Sequence, residues 1–286
     1  MTTKAIYQPK GKAAEYAKYA CNFFVGCSIN CSYCYNKTGR FAKTLGGNTP
    51  TLKKCFANVA IAYRIFQIEA LENLEDLKKH GIFFSFTTDP MLPQTHQLTF
   101  LSMIFANQNK IPVQILTKDV REFDHWIEMF QSFPSLNPEL IALGVSISGD
   151  SSQEPGASCT YDRITAILRL HHAGFRTFIS LEPAIRVNVI KRVIDMTLNW
   201  CDLYRIGLGV GTKQEQLKTA QAIMEEFHFY KKLNLTITSK FYLKDSFLNA
   251  LNINREDLDL DYFVDSDHTP FTTVPDTAGE KEQSNE

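Results

Sequence analysis

Cys27, Cys31 and Cys34 lie in the run Gly26-Cys27-Ser28-Ile29-Asn30-Cys31-Ser32-Tyr33-Cys34-Tyr35, a Cys-x3-Cys-x2-Cys spacing that offers three thiolates to one metal centre. Three sulfurs from one tight loop can hold three irons of a cubane cluster and leave the fourth iron open to a small molecule, whereas four-cysteine sites close the coordination shell. An open iron means chemistry rather than scaffolding. The competing use of the same thiols is a structural zinc completed by Cys21 or by a distant histidine. Zinc sites usually come as two paired Cys-x2-Cys or Cys/His knuckles, and here one such pair stands without a second knuckle nearby.

The elements that must position these thiols follow them in the chain. Apolar runs alternate with helix-patterned stretches, a βαβα rhythm that predicts parallel strands joined by crossover helices. Strands are expected at 81–86, 113–117, 141–148, 177–181, 203–208 and 235–238. Helices are expected at 51–79, 94–109, 120–131, 163–173, 187–199 and 213–229. Six such units make a partial or complete barrel whose functional loops lie at the carboxyl ends of the strands. The expected organisation is an N-terminal lead-in over 1–20, a barrel domain over 21–262 with its cysteine loop at 26–35, and a tail over 263–286. That tail is rich in Asp, Thr, Pro, Glu and Ser and too poor in apolar residues to offset ordering entropy, so disorder is expected there.

With 286 residues, 44% of them apolar, the chain can bury a full core as one domain. A formal net charge of −1 gives no bulk basic field, so nucleic acid is neither favoured nor excluded. The N-terminus shows no charged-then-apolar leader, and no stretch approaches the roughly 20 apolar residues needed to cross a bilayer. The expectation is a soluble, cytoplasmic protein that does not engage a membrane. Seven cysteines, three of them within eight positions, argue for a reducing compartment over a disulfide framework.

The cysteine run, with an aromatic residue just before its third cysteine, resembles the radical S-adenosylmethionine (SAM) superfamily. The resemblance implies an α/β fold, a partial (β/α)6 TIM-like barrel, with Cys27, Cys31 and Cys34 as ligands of a [4Fe-4S] cluster. It implies that SAM chelates the fourth iron, that Tyr33 lies against the adenine, and that a reducing partner such as flavodoxin or ferredoxin supplies an electron. SAM would then be cleaved to methionine and a 5′-deoxyadenosyl radical, which takes hydrogen from a substrate. The protein's share is positioning, reduction potential and exclusion of water.

Polar residues recur where the expected strands end. Ser85-Phe86-Thr87-Thr88-Asp89-Pro90 resembles the spore photoproduct lyase-like branch of that superfamily, which implies that Thr88 and Asp89 accept from the SAM ammonium. Read alone, Asp-Pro starts an ordinary turn. Lys118 resembles the lysine that pairs with the SAM carboxylate in that branch; on its own it would be a solvated surface lysine. The strand around Ser146 and Ser148 alternates with period two, which puts both hydroxyls on one face. Either could bond the ligand, and either could be satisfied by backbone. Arg163 opposes the dipole of the helix it opens, which points to an anionic partner such as Glu154 or a ligand carboxylate. Glu182 at a strand end is a candidate for substrate or ribose binding. The glycines near Gly209 read as turns. The lead-in around Tyr16 also resembles that branch, so the likeness runs from about Gln8 to Gly211.

One departure bears on the reaction. The lyase-like branch uses a cysteine hydrogen donor immediately before this first element, whereas Ser85, Phe86 and Thr87 stand here. Cys159, in a loop near the expected barrel mouth, is the candidate donor in its place. The resemblance implies a nucleobase or nucleic acid as possible substrate. The run 240–247 mixes lysines with aromatics, a composition that can grip single strands but also marks an element edge with snorkelling lysines. Two other functions stay open: a structural zinc or iron–sulfur interaction module, and a SAM-dependent group-transfer enzyme.

Overall fold

The computed structural model describes residues 4–38, 42–258 and 261–272. Ten strands occur among them: β1 Ile6–Tyr7, β2 Ala20–Cys21, β3 Phe24–Val25, β4 Thr51–Leu52, β5 Ile82–Phe84, β6 Val113–Thr117, β7 Ile141–Ser146, β8 Arg176–Leu181, β9 Leu203–Ile206 and β10 Lys240–Leu243. The helices are α1 Ala42–Leu45, α2 Val59–Glu72, α3 Leu74–His80, α4 His96–Gln108, α5 Phe123–Ser132, α6 Thr160–His172, α7 Val187–Thr197, α8 Lys213–Lys232 and α9 Asp245–Leu251. The main sheet runs β1-β2-β5-β6-β7-β8-β9-β10, with every neighbour parallel except β1 against β2. Its two edges do not pair, so the barrel is partial, as expected. The pair β3 and β4 forms a separate antiparallel ribbon.

Successive residues along each strand face opposite sides. Ile82, Phe84, Val113, Ile115, Leu143, Val145, Ile179, Leu181, Tyr204 and Ile206 point outward and join the helices in one large core. Phe83, Ala142, Phe178, Leu203 and Tyr242 point inward, where Tyr16, Ala17 and Ala20 from the lead-in meet them. Two apolar faces per strand require burial on both sides, which the crossover helices provide outside and the lead-in provides inside.

Five expected strands and most helices occupy their expected stretches, and the differences have local causes. The helix expected over 51–79 begins as strand β4 and then divides into α2 and α3 at Asn73, whose backbone (φ −115°, ψ 23°) is not helical and whose side-chain amide donates to Glu69 O at 2.8 Å. Asn58 caps α2 by accepting from Ile61 N–H at 2.9 Å, which fixes its start eight residues later than expected. The last strand lies at Lys240–Leu243, not 235–238. Leu235 is exposed, while Thr238 and Ser239 are engaged by Asn199. Strand β2 has only two residues, too few for a periodicity to register, yet it is the parallel strand that feeds the cysteine loop. The tail expected from 263 is packed as far as Thr272: Val264 N–H donates to Phe241 O at 3.1 Å, and Val264 and Phe271 add to the inner cluster. The remainder of that tail lies outside the described residues. Among them no helix is long and apolar enough to cross a membrane.

The inner face leaves no room at Gly144 in β7, where an added Cβ would come within 2.5 Å of the Phe178 ring. Gly144→Ala is therefore expected to lower stability by about 1–3 kcal/mol, the scale of an overpacked core. Urea unfolding should show a lower midpoint with an unchanged slope.

Candidate functional site

The inner positions change character at the carboxyl ends of the strands. Continuing each inward series past its last apolar residue reaches Ser85 after Phe83, Lys118 after Leu116, Ser146 after Gly144, Ser180 and Glu182 after Phe178, and Lys244 after Tyr242. These side chains line a cavity of about 510 Å³. Cys27, Cys31 and Cys34 line the same cavity, with Tyr33, Thr88 and Asp89. The partial barrel thus brings nearly all the candidate residues into one space.

The cysteine loop is held by its neighbours in space. Cys27 N–H donates to Gly47 O at 2.9 Å, Ser32 N–H to Gln153 O at 3.0 Å and Gly156 N–H to Ile29 O at 2.9 Å. Ile29, Cys31 and Leu92 make a small apolar patch that Cys27, Tyr33, Cys34 and Ala157 flank. Burial, reinforced by the charge of Asp89, pushes the Cys27 thiol up to about 12, and burial also raises Cys31. A bound cation would reverse that preference, because coordination deprotonates a thiol outright. Among the described residues no three His, Cys, Asp or Glu side chains converge as ligands of a single ion. The fourth ligand that zinc would require is not at hand: Cys21 is buried in the outer core, and no histidine lines the cavity.

Beside the thiols, one carboxylate is shared by two cations. Glu154 Oε2 accepts from Arg163 Nη2 at 2.7 Å, Glu154 Oε1 lies 3.5 Å from Lys118 Nζ, and Tyr33 OH donates to the same carboxylate. Burial opposes ionisation of Glu154, but the charges of Lys118 and Arg163 with the Tyr33 and Arg163 hydrogen bonds outweigh it, so its carboxyl sits below the usual range. Lys118 Nζ also donates to Ser146 Oγ and stands 5.8 Å from the Tyr33 ring centre. Of these charged groups Lys118 is the one that lines the cavity, a point cation suited to an anionic group of a ligand. In the same cavity wall, Asn36 has a buried Oδ1 without a hydrogen-bond partner, an acceptor that a ligand donor would satisfy.

Asp89 does a different job from the one expected. Its carboxylate accepts from Thr117 Oγ1 at 2.6 Å, Lys118 N–H at 2.8 Å and Met91 N–H at 3.0 Å, so it ties the ends of β5 and β6 together beside the thiols. Thr88 lines the cavity, as does Ser146, but Ser148 does not; its hydroxyl turns to the Asp150 backbone, accepting from Asp150 N–H at 3.2 Å. Cys159 also lies outside the cavity. It is exposed and caps α6, its sulfur accepting from Asp162 N–H at 3.3 Å, so the geometry gives it no access to a cavity-bound substrate.

The opposite end of the cavity holds a network that the sequence reading missed. Glu182 Oε2 accepts from Tyr16 OH at 2.8 Å and from Lys244 Nζ at 2.7 Å, and Tyr16 OH also meets Ser180 Oγ at 2.7 Å. Lys244 reaches Glu15 at 3.1 Å, and Arg205 donates to the Glu15 carbonyl. Burial lowers Arg205 to about 10 and raises Tyr16 well above its ordinary value, which keeps the phenol protonated. Gly207 leaves space for the pair, since a Cβ there would meet Glu182 and Lys244 at 3.0 Å. Counting by twos from a correctly placed β10 would have found Lys244 on the inner face.

No protein-family model matches the chain, and no curated protein sequence does. Solved structures do. Spore photoproduct lyase complexed with dinucleoside spore photoproduct aligns with a TM-score of 0.54 at 16% identity, over 77% of this chain and 64% of that one. A mutant of the same lyase with bound AdoMet and dinucleoside spore photoproduct gives 0.52 at 16%, over 73% and 62%. SuiB of Streptococcus suis bound to S-adenosylmethionine gives 0.53 at 13%, over 81% and 51%. The chain spans between about half and two-thirds of the length of these proteins. It has the partial α/β-barrel fold of spore photoproduct lyase and SuiB.

Proposed function

We propose that the chain is a radical SAM enzyme in which Cys27, Cys31 and Cys34 hold a [4Fe-4S] cluster and SAM occupies the adjoining cavity. The observation that carries this reading is the sharing of one cavity by three thiols and the ammonium of Lys118, which Glu154 and Ser146 hold in place. When bound, the cluster and SAM supply reductive cleavage to methionine and a 5′-deoxyadenosyl radical that abstracts hydrogen.

The side chains divide the work. Lys118 faces the SAM carboxylate, Thr88 and the backbone around it accept from the ammonium, and Tyr33 covers the adenine beside Lys118. Asp89 and Glu154 position these groups without touching the ligand: one carboxylate fixes the Lys118 backbone, the other its side chain. Inward apolar residues below the cavity, Phe83 and Leu116 among them, keep water from the reacting atoms. The far network of Tyr16, Glu182 and Lys244 forms the substrate end. A nucleobase-containing substrate is supported by the likeness to a lyase solved with a dinucleoside. A cysteine donor is absent from the cavity apart from the three proposed ligands, so repair chemistry of that lyase's kind lacks its thiol here.

Anaerobic reconstitution with iron and sulfide should give a brown protein that forms 5′-deoxyadenosine from SAM under reductant. A colourless protein holding one zinc would reverse the reading, and SAM consumption without 5′-deoxyadenosine would favour group transfer. Replacing Cys27, Cys31 or Cys34 with Ala should abolish both colour and cleavage; turnover at the wild-type rate in any of the three would remove that residue from the site. Lys118→Ala should weaken SAM binding by about 1.5–3 kcal/mol, roughly 10- to 150-fold, the scale of a charge-assisted hydrogen bond. Equilibrium dialysis with the reconstituted protein checks this, and an unchanged affinity would exclude Lys118 from the pocket.

A further inference from the structure

A second cavity, of about 310 Å³, opens at the other end of the barrel, where β8, β9 and β10 begin. Small-molecule sites start at about this size, roughly 300 Å³. Arg176 and Lys240 are the first residues of β8 and β10, and Asp202 directly precedes β9 between them. Trp200 comes from the turn that leads into β9, and His171 from the last turn of α6. The chain after α9 supplies the remaining wall: Val264 and Phe271 pack into the inner cluster and hold His268, Thr269 and Thr272 beside the strand starts. Among the described residues, none that lines this cavity also lines the one with the thiols.

One cation here lacks a counter-charge. Arg176 lies 3.5 Å from Asp202 Oδ1, and Asp202 Oδ2 accepts from Thr177 N–H at 2.6 Å and from Thr177 Oγ1 at 3.0 Å, so both carboxylate oxygens are engaged. Lys240 donates only to a neutral group, the Asp261 carbonyl, at 3.1 Å, and has no carboxylate partner among the described residues. Burial and the charges of Lys240 and Arg205 lower the His268 imidazole against the opposing pull of Asp267, which marks the positive potential of this wall. The Trp200 indole, 39% exposed, is packed edge-on by His171 with ring centres 5.7 Å apart, and its open part is a stacking surface for a planar base.

We propose that this cavity binds a nucleoside monophosphate, with its phosphate between Arg176 and Lys240 and its base against Trp200. The guanidinium and the ammonium are charge-assisted donors to phosphate oxygens. The Thr238, Thr269 and Thr272 hydroxyls complete a polar lining that suits a sugar. Inorganic phosphate would leave the indole uncovered, and a base without phosphate would leave Lys240 unmatched. A ligand at the strand starts is remote from the thiols, so its binding does not depend on SAM chemistry.

The test uses the full chain, reconstituted anaerobically, in isothermal titration calorimetry with adenosine, guanosine, cytidine and uridine 5′-monophosphates, each alone. At least one should bind at one-to-one stoichiometry, and its nucleoside or inorganic phosphate should bind about tenfold or more weakly, the scale of a lost charge-assisted contact or stacked base. Lys240→Gln should weaken the bound nucleotide about tenfold or more, and Trp200→Ala about fivefold or more. Lys118→Ala, in the thiol cavity, should leave the affinity unchanged. A thermal midpoint equal to wild type separates a lost contact from a lost fold. Quenching of wild-type tryptophan emission by the nucleotide gives a reading that needs no variant, because Trp126 on α5 is only 1% exposed. No binding of any nucleotide, equal affinity in Lys240→Gln or Trp200→Ala, equal affinity for inorganic phosphate, or a loss in Lys118→Ala as large as in Lys240→Gln would each overturn the proposal. Failure to form 5′-deoxyadenosine would instead sink the assigned chemistry, and the titration would still decide this site.

Discussion

The site is organised by one buried carboxylate. Glu154 is reached by Arg163 from α6, by Lys118 from the end of β6 and by Tyr33 from the cysteine loop, so three separate parts of the chain are fixed to one point. A carboxylate this buried stays ionised only because its partners are cations and donors. The sign of its linkage to pH follows: its folded value lies below the unfolded one, so its stabilisation is complete above the usual glutamate range and is lost as pH falls through the depressed folded value. Across neutral pH the clamp is intact. Its position matters as much as its strength, since it holds the Lys118 ammonium in the cavity that the three thiols share.

The two ends of the cavity differ in how their cation is held. Lys118 contacts Glu154 and Ser146 beside the three cysteines, while at the far end Lys244 is divided between Glu15 and Glu182, and Arg205 donates to the Glu15 backbone carbonyl. Asp89, Lys10 and Lys12 also line the cavity, so what distinguishes its ends is how each cation is fixed rather than a difference in net charge.

Much of this was legible in the sequence, and what was not has physical reasons. The cysteine spacing, the polar strand ends at Thr88, Lys118 and Ser146, and the pairing of Arg163 with Glu154 could be read because each depends on residues within one element or one loop. Ser148 and Cys159 misled because being near a strand end does not settle whether a side chain points inward: Ser148 lies just past the end of β7 and turns to its own backbone, and Cys159 serves its helix as a cap. Strand β2 was invisible at two residues, and β10 was displaced because the run 235–238 has β-branched residues that propensity favours, while Leu235 is exposed and Asn199 binds Thr238 and Ser239 outside any strand.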